Sequence, residues 1–384
     1  MQLIFWNLTG SFQITLFVNT LIVKEPFLLE VGESLPELEI SYCTYGKLNE
    51  QADNVVWICH ALTANADALD WWPGLVGPGK FFDPQSYFIV CANILGSCYG
   101  TTGPASIDPR TRTTYGKDFP VVTVRDMVRC HQILAKKLGI RQVELLIGGS
   151  MGGQQVLEWA IMAPDFAKRI CVLATNARHS AWGIAFNEAQ RMAIESDPSW
   201  QDRTPGAGKA GLESARAIAM LSYRNYQTYE LTQTDKNGEL LDDYRASSYQ
   251  RYQGMKLFNR FDVLSYWYLS KAMDSHHVGR GRGGLEKALS RITARSLVIG
   301  IHSDVLFPIG EQATVARGIK GSQLEIIDSF YGHDGFLIES ELIAGLLGPF
   351  LADEIARNGN KRALEEKMDV IDLNTDAIPG TEGF

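Results

Sequence analysis

Five short, near-continuous apolar runs constrain the fold of this chain more than any other feature. They are Val55-Val56-Trp57-Ile58-Cys59, residues 87–91, the run 143–147, Ile170-Cys171-Val172-Leu173 and residues 296–301. A strand with one face in water alternates apolar and polar residues, so strands without alternation are buried on both faces. That requires a parallel sheet covered by helices. Helical patterns fall between several of the runs, residues 124–138 for example, and the whole reads as an open α/β fold. A length of 384 residues accommodates one large domain with an insertion, or two domains. Between about residues 180 and 290 the strand runs stop, and Tyr, Arg, Gln and Met recur at helical spacing. Such a stretch is expected to be a helical lid over the strand ends, where ligands bind in sheets of this kind. The expected division is therefore a core of residues 1–180 and 290–355, a lid of 181–289, and a short C-terminal helix with a loosely ordered tail in 356–384.

Charge and cysteine usage narrow the partners. Thirty-six basic against 44 acidic residues leave a net charge of −8, which argues against nucleic acid. The one basic, Gly-rich run, Gly279-Arg280-Gly281-Arg282-Gly283-Gly284, lacks neighbouring aromatic platforms and reads as a flexible connector. Cys43, Cys59, Cys91, Cys98, Cys130 and Cys171 are scattered without a C-x-x-C pair, a pattern of reduced thiols in a cytoplasmic protein. The first 23 residues are strongly apolar but have neither a basic n-region nor an A-x-A-like end. They are read as an extra strand or a flexible extension, with no signal peptide and no membrane span.

The chemistry centres on Gly148-Gly149-Ser150-Met151-Gly152. A chance G-x-S-x-G is common in a chain with 36 glycines, but this one lies between a β-rich run and a helical pattern at 154–162. In that context the turn is sharp, glycines stand where a Cβ would clash, and the serine hydroxyl is held out above the sheet. The backbone N–H of Met151 then faces a developing oxyanion. A serine hydroxyl needs a base, and the base needs a third group to orient it. Asp304 follows the strand at 297–301, and His333 follows the strand at 324–327. The order Ser150, Asp304, His333 is the nucleophile, acid, base order of α/β-hydrolase folds. His131, His179, His276 and His277 read as surface or packing residues, and His302 as structural. His60 ends the strand at 55–59 and shapes the loop whose Leu62 N–H is the expected second oxyanion donor. A metal site would need clustered His and carboxylate at ligand spacing, which His276-His277 alone does not supply, so no metal is expected.

Further motifs reach a family. His60-Ala61-Leu62-Thr63, Trp71-Trp72-Pro73-Gly74-Leu75-Val76-Gly77-Pro78-Gly79, Asn93-Ile94-Leu95-Gly96-Ser97-Cys98-Tyr99-Gly100-Thr101-Thr102-Gly103-Pro104, Gly148 to Gln154, Asp304-Val305-Leu306-Phe307-Pro308 and Gly332-His333-Asp334-Gly335-Phe336 together resemble the homoserine O-acetyltransferases. The resemblance covers roughly residues 25–353, with the motifs in the family's order. It implies that Ser150 takes an acetyl group from acetyl-CoA as co-substrate, with no other cofactor, and passes it to the hydroxyl of L-homoserine in methionine biosynthesis. Arg216 and Tyr223, seven apart and hence on one face of a predicted helix, are similar to the family's pair for the substrate carboxylate. Asp334 is the family's candidate for the ammonium. Without the resemblance, Arg216 would read equally well as a solvated or salt-bridged helix residue. The family also implies a homodimer formed through the lid helices.

One departure bears on the acyl group. Many members of the family continue after His60-Ala61-Leu62-Thr63 with Gly and a second histidine, whereas this chain has Ala64-Asn65-Ala66-Asp67. A homoserine or serine O-succinyltransferase, and beyond it a general esterase, are the alternatives on the same scaffold. A noncatalytic binding protein would have no need of the complete Ser150, Asp304 and His333 set.

Overall fold

The computed structural model describes residues 18–202, 204 and 206–352. In chain order its strands are β1 (Val18–Val23), β2 (Phe27–Leu28), β3 (Ser34–Leu35), β4 (Leu38–Tyr45), β5 (Val55–Cys59), β6 (Phe88–Ala92), β7 (Val143–Gly149), β8 (Ala167–Leu173), β9 (Arg295–Ile301) and β10 (Gln323–Ile327). Eight of them form one sheet in the order β1-β4-β6-β5-β7-β8-β9-β10, while β2 and β3 make a separate small ribbon. β1 pairs antiparallel with β4 and β4 with β6; every later pairing is parallel.

The apolar runs are explained by what lies on either side of the sheet. All five residues of β5 are buried. Val55, Trp57 and Cys59 enter one hydrophobic cluster with Met127, Leu146 and Trp159. Val56 and Ile58 point the other way, into a second cluster with Leu145, Ile147 and Phe350. Side chains alternate across a strand, so two covered faces demand apolar residues at every position. The sequence pattern missed β4, because Glu39, Ser41 and Thr44 break its run. Lying between two antiparallel neighbours near the sheet edge, it leaves Glu39 exposed.

The helices, in chain order, are α1 (Ala68–Trp71), α2 (Val124–Lys137), α3 (Met151–Met162), α4 (Ala181–Glu195), α5 (Lys209–Tyr223), α6 (Tyr226–Gln233), α7 (Arg245–Phe258), α8 (Val263–Asp274), α9 (Leu285–Leu289), α10 (Ile309–Gly318), α11 (Gly335–Ile338) and α12 (Ser340–Leu351). A reciprocal capping box between Thr123 and Asp126 starts α2. α3 is buried from Met151 to Ile161, as befits the helix leading out of the central strand. Between β8 and β9 the chain runs through α4 to α9 with no strand among the described residues. Ser180, Asn225 and Asp262 cap α4, α6 and α8 with their side chains, marking where those three helices begin.

The Gly279–Gly284 run differs from its expectation as a flexible connector. Arg282 pairs with the buried Glu158 of α3 at 2.6 Å, and Arg280 pairs with Glu30 at 2.9 Å. Arg125 of α2 bridges both acids, at 3.1 Å and 2.8 Å. Burial pushes the Glu158 carboxyl up, against the pull of Arg282 and Arg125. Arg282 is thus bound to the core, while Arg280 is ion-paired but still exposed, and the positive-φ glycines Gly281, Gly283 and Gly284 let the backbone turn between them and α9. Residues 18–23 of the apolar start form β1. Residues 1–17, and the helix and tail expected at 356–384, lie outside the described residues.

Candidate active site

Ser150 occupies the turn from β7 into α3 with φ 56° and ψ −127°, a backbone conformation that non-glycine residues adopt only when their surroundings enforce it. The enforcement is visible. Ser150 N–H donates to Leu173 O at 2.9 Å, and Thr175 Oγ1 donates to Ser150 O at 2.7 Å. Gly148 and Gly152 approach so closely that a Cβ on the first would strike the Gly152 backbone, and one on the second the Cys59 carbonyl. The helix begins at Met151, three residues before its pattern suggests. Gly152 and Gly153 hid its start because they are chosen for close approach, not for helix propensity.

The early start leaves the Met151 N–H at the first helical position, where no intrahelical acceptor exists. Neither it nor the Leu62 N–H has a hydrogen-bond partner among the described residues. The Leu62 N–H shares a peptide plane with the Ala61 carbonyl. That carbonyl accepts from His60 Nδ1 at 2.8 Å and from Ala64 N–H at 3.1 Å. Ile94 N–H donates to His60 Nε2 at 3.1 Å, which fixes the proton on Nδ1. Burial lowers the His60 pKa to about 4, so the ring is neutral near pH 7. His60 therefore anchors one end of the peptide whose other end is open.

Asp304, after β9, and His333, after β10, are both buried. His333 Nδ1 lies 2.7 Å from Asp304 Oδ2. The N–H groups of Leu306 and Phe307 donate to Asp304 Oδ1 at 2.8 and 2.9 Å, so the carboxylate is held from both sides. The imidazole stacks on Phe307 at 5.0 Å between ring centroids, with Phe336 at 5.3 Å and Tyr223 at 5.9 Å. With Nδ1 donating to Asp304, the Nε2 lone pair is free to take a proton. Ser150 and His333 line one cavity of about 560 Å³, with no direct hydrogen bond between Oγ and Nε2.

Residues of the helical segment between β8 and β9 line this cavity on one side. Arg216 and Tyr223, both on α5, line it together with Asp334. The Arg216 guanidinium lies 5.0 Å from the Tyr223 ring centroid, and its Nη1 is buried without a hydrogen-bond partner. An unmet buried cationic donor is costly. Burial raises the Tyr223 phenol pKa and that of the Asp334 carboxyl, the latter opposed by Arg224, Arg216 and His333.

The sequence assigns no site role to Trp71, Tyr99, Lys256, Arg260 or Arg224. The first four line the cavity. Arg260 donates from Nη1 to Thr63 O at 2.5 Å and to Tyr99 OH at 3.1 Å, tying the α7–α8 turn to the loop after β5. Lys256 and Arg260 stand four apart, a spacing visible in the sequence but indistinguishable there from a solvated helix face. Among the described residues no cluster of three or more His, Cys, Asp or Glu side chains is arranged to hold a metal.

A strained serine at a strand–helix turn, a carboxylate and a histidine at two later strand ends, and a lid over them define an α/β hydrolase. Residues 54–340 match the family model for the alpha/beta hydrolase fold. More narrowly, the chain belongs to the homoserine O-acetyltransferase family. It is 50% identical over 327 residues to the homoserine O-acetyltransferase of Cyclobacterium marinum, covering 85% of this chain and 93% of that one. It is 44% identical over 342 residues to that of Chlorobium chlorochromatii, covering 88% and 95%. Among solved structures, a homoserine O-acetyltransferase from Bacillus anthracis superposes with a TM-score of 0.81 at 27% identity, covering 88% of this chain and 98% of the other. An acetyl esterase superposes with a TM-score of 0.77, also at 27% identity, covering 88% and 96%.

Proposed function

We propose that the chain transfers an acetyl group from acetyl-CoA to the side-chain hydroxyl of L-homoserine through an acetyl-Ser150 intermediate, supplying an activated homoserine for methionine biosynthesis. His333 Nε2 takes the Ser150 proton as Oγ attacks the thioester carbonyl carbon. The Leu62 and Met151 N–H groups receive the oxyanion, a contribution of about 10²–10³-fold per donor. The C–S bond breaks, His333 returns the proton to the departing CoA sulfur, and CoA leaves. Homoserine then gives its hydroxyl proton to Nε2 and attacks the acetyl carbon. As the C–Oγ bond breaks, Ser150 recovers a proton from His333. Asp304 holds the imidazole in the required tautomer throughout.

The unpartnered buried Arg216 Nη1, in the cavity that holds Ser150 and His333, carries the choice of acceptor. A plain esterase has no use for it. In an amino-acid acceptor, the α-carboxylate meets Arg216 and Tyr223, and the ammonium meets Asp334. Holding the acceptor hydroxyl in place gives it the advantage over water that discharge to homoserine requires.

Lys256 and Arg260 favour one second reading, since either cation would suit the terminal carboxylate of a succinyl donor. Mass spectrometry of the protein mixed with acetyl-CoA or succinyl-CoA alone decides it. An acetyl adduct on Ser150, removed on adding homoserine, is expected. A succinyl adduct would install the second reading, and no adduct from either would remove both.

The homodimer belongs to the same reading. Leu221, Leu231, Tyr252 and Met255 are exposed apolar side chains on α5, α6 and α7, the surface such a dimer would cover. Light scattering on the eluted protein tests it, with a dimer mass expected. A cytoplasmic location is proposed on the six free cysteines. Among the described residues no helix is long and apolar enough to cross a membrane.

A further inference from the structure

Asp334 is held in an unusual way. Arg224 Nε lies 3.0 Å from its Oδ2, yet that Nε makes no hydrogen bond, because the approach has the distance of an ion pair without the angle. Asp334 itself accepts no hydrogen bond among the described residues. A carboxylate can accept about four, so here the charge is answered while Asp334, which lines the cavity, keeps acceptor capacity unused.

The backbone maintains this relation. Arg224 is the C-cap of α5, directly after Tyr223, and its guanidinium lies 5.5 Å from the Tyr331 ring centroid. Gly332, at φ 60°, packs against the Tyr223 carbonyl and the Arg224 backbone. The end of the helix carrying Arg216 and Tyr223 is thereby registered against the turn carrying His333 and Asp334.

We propose that Arg224 is a positioning residue for acceptor recognition: its guanidinium keeps Asp334 ionised through an ion pair while leaving the carboxylate's acceptor positions free for the primary ammonium of an amino-acid substrate. The inference rests on reading the cavity as a homoserine acetyltransferase site. Arg216 cannot do this work alone, since in that reading its charge is taken up by the substrate carboxylate. The charged and titratable groups facing Asp334 are Arg216 and Tyr223 from α5, Arg224 at its C-cap, Tyr229 from α6, His333 in its own turn, and Asp304 after β9. Burial pushes the Asp334 carboxyl up and Arg224 is first among the groups pulling it down. Removing Arg224 lets it rise further, so less of the binding-competent ionised form is present at lower pH and more returns as pH rises.

The test compares Arg224→Gln and Arg224→Lys with the wild type for homoserine KM across pH, alongside the rate of acetyl-Ser150 formation from acetyl-CoA alone. The ratio of the Arg224→Gln KM to that of the wild type should be about tenfold near pH 6.5 and fall to within about threefold near pH 8.5. Arg224→Lys should stay close to wild type. Acylation measured near pH 8.5, where Asp334 is ionised with or without Arg224, should change by less than about twofold and so reports intact folding. In an Asp334→Asn background, Arg224→Gln should add no further loss, because the group it acts through is gone. A KM penalty equal at every pH, an additive double variant, or tighter homoserine binding in Arg224→Gln would each overturn the inference. If instead the wild type is acylated but homoserine does not discharge it, the parent reading fails first, and that is seen before any Arg224 variant is made.

Discussion

The core and the lid meet at one cavity but assemble their halves of it differently. In the core, Ser150, Asp304 and His333 sit in turns at strand ends, and backbone groups fix them: Leu173 O and Thr175 Oγ1 for the serine, Leu306 and Phe307 N–H for the aspartate. In the lid, Arg216 and Tyr223 are held by a helix packed on other helices, and Arg216 Nη1 has nothing to bond. In the proposed function, reactivity is built where geometry is fully determined, and selectivity where a polar group has been left waiting. The two halves should therefore fail in different ways.

Losing the nucleophile should have the largest effect. Ser150→Ala is expected to lower turnover by at least about 10⁴-fold, for a small ester and for acetyl transfer alike. Near-normal turnover in either assay would break the assignment of chemistry to the core. Asp304→Asn should follow, with kcat down by about 10³–10⁴-fold, because the amide stabilises the wrong imidazole tautomer. A loss under tenfold would mean that Phe307 stacking alone orients His333. Smaller again, Arg216→Ala should weaken homoserine use by about 1.5–3 kcal/mol in kcat/KM. It should leave hydrolysis of a small ester intact, and equal losses on both substrates would merge the two regions.

A prediction with a different readout, stability rather than rate, concerns the scaffold under both. His60 and His131 in the core, and His179 and His276 where lid meets core, have pKa values lowered by burial, to about 4 for the first three and about 3 for His276. Unfolded histidine titrates near 6.5. Below that pH the unfolded chain binds protons that the folded one refuses, so the stability present above about pH 6.5 is lost progressively as pH falls toward 4. The melting temperature should decline across this window. A flat profile would show that these rings are protonated in place and that the seam is looser than its burial suggests.

The core was largely legible in the sequence, and the reason is physical. Two-sided burial writes continuous apolar runs, and close backbone approach writes glycines, so strands, elbow and chain order could all be read. Where polar residues broke a run, as at Glu39 and Ser41 of β4, the strand was missed. Arg280 and Arg282 were misread because a local pattern cannot reveal that Glu30 and Glu158 lie opposite. In the lid, Arg216 and Tyr223 were reached by resemblance as much as by spacing. Arg224, Lys256 and Arg260 carry no local mark separating them from other helical charges, and only tertiary packing turns them toward the site.

The division of labour is tested most directly by discharging preformed acetyl-Ser150 in single turnover, in the wild type and in Arg216→Ala, with homoserine or with water alone. The account predicts that Arg216→Ala slows discharge to homoserine by about tenfold or more, with hydrolysis by water unchanged within about twofold. Equal slowing of both would contradict it, since Arg216 would then support the catalytic serine and histidine rather than choose the acceptor.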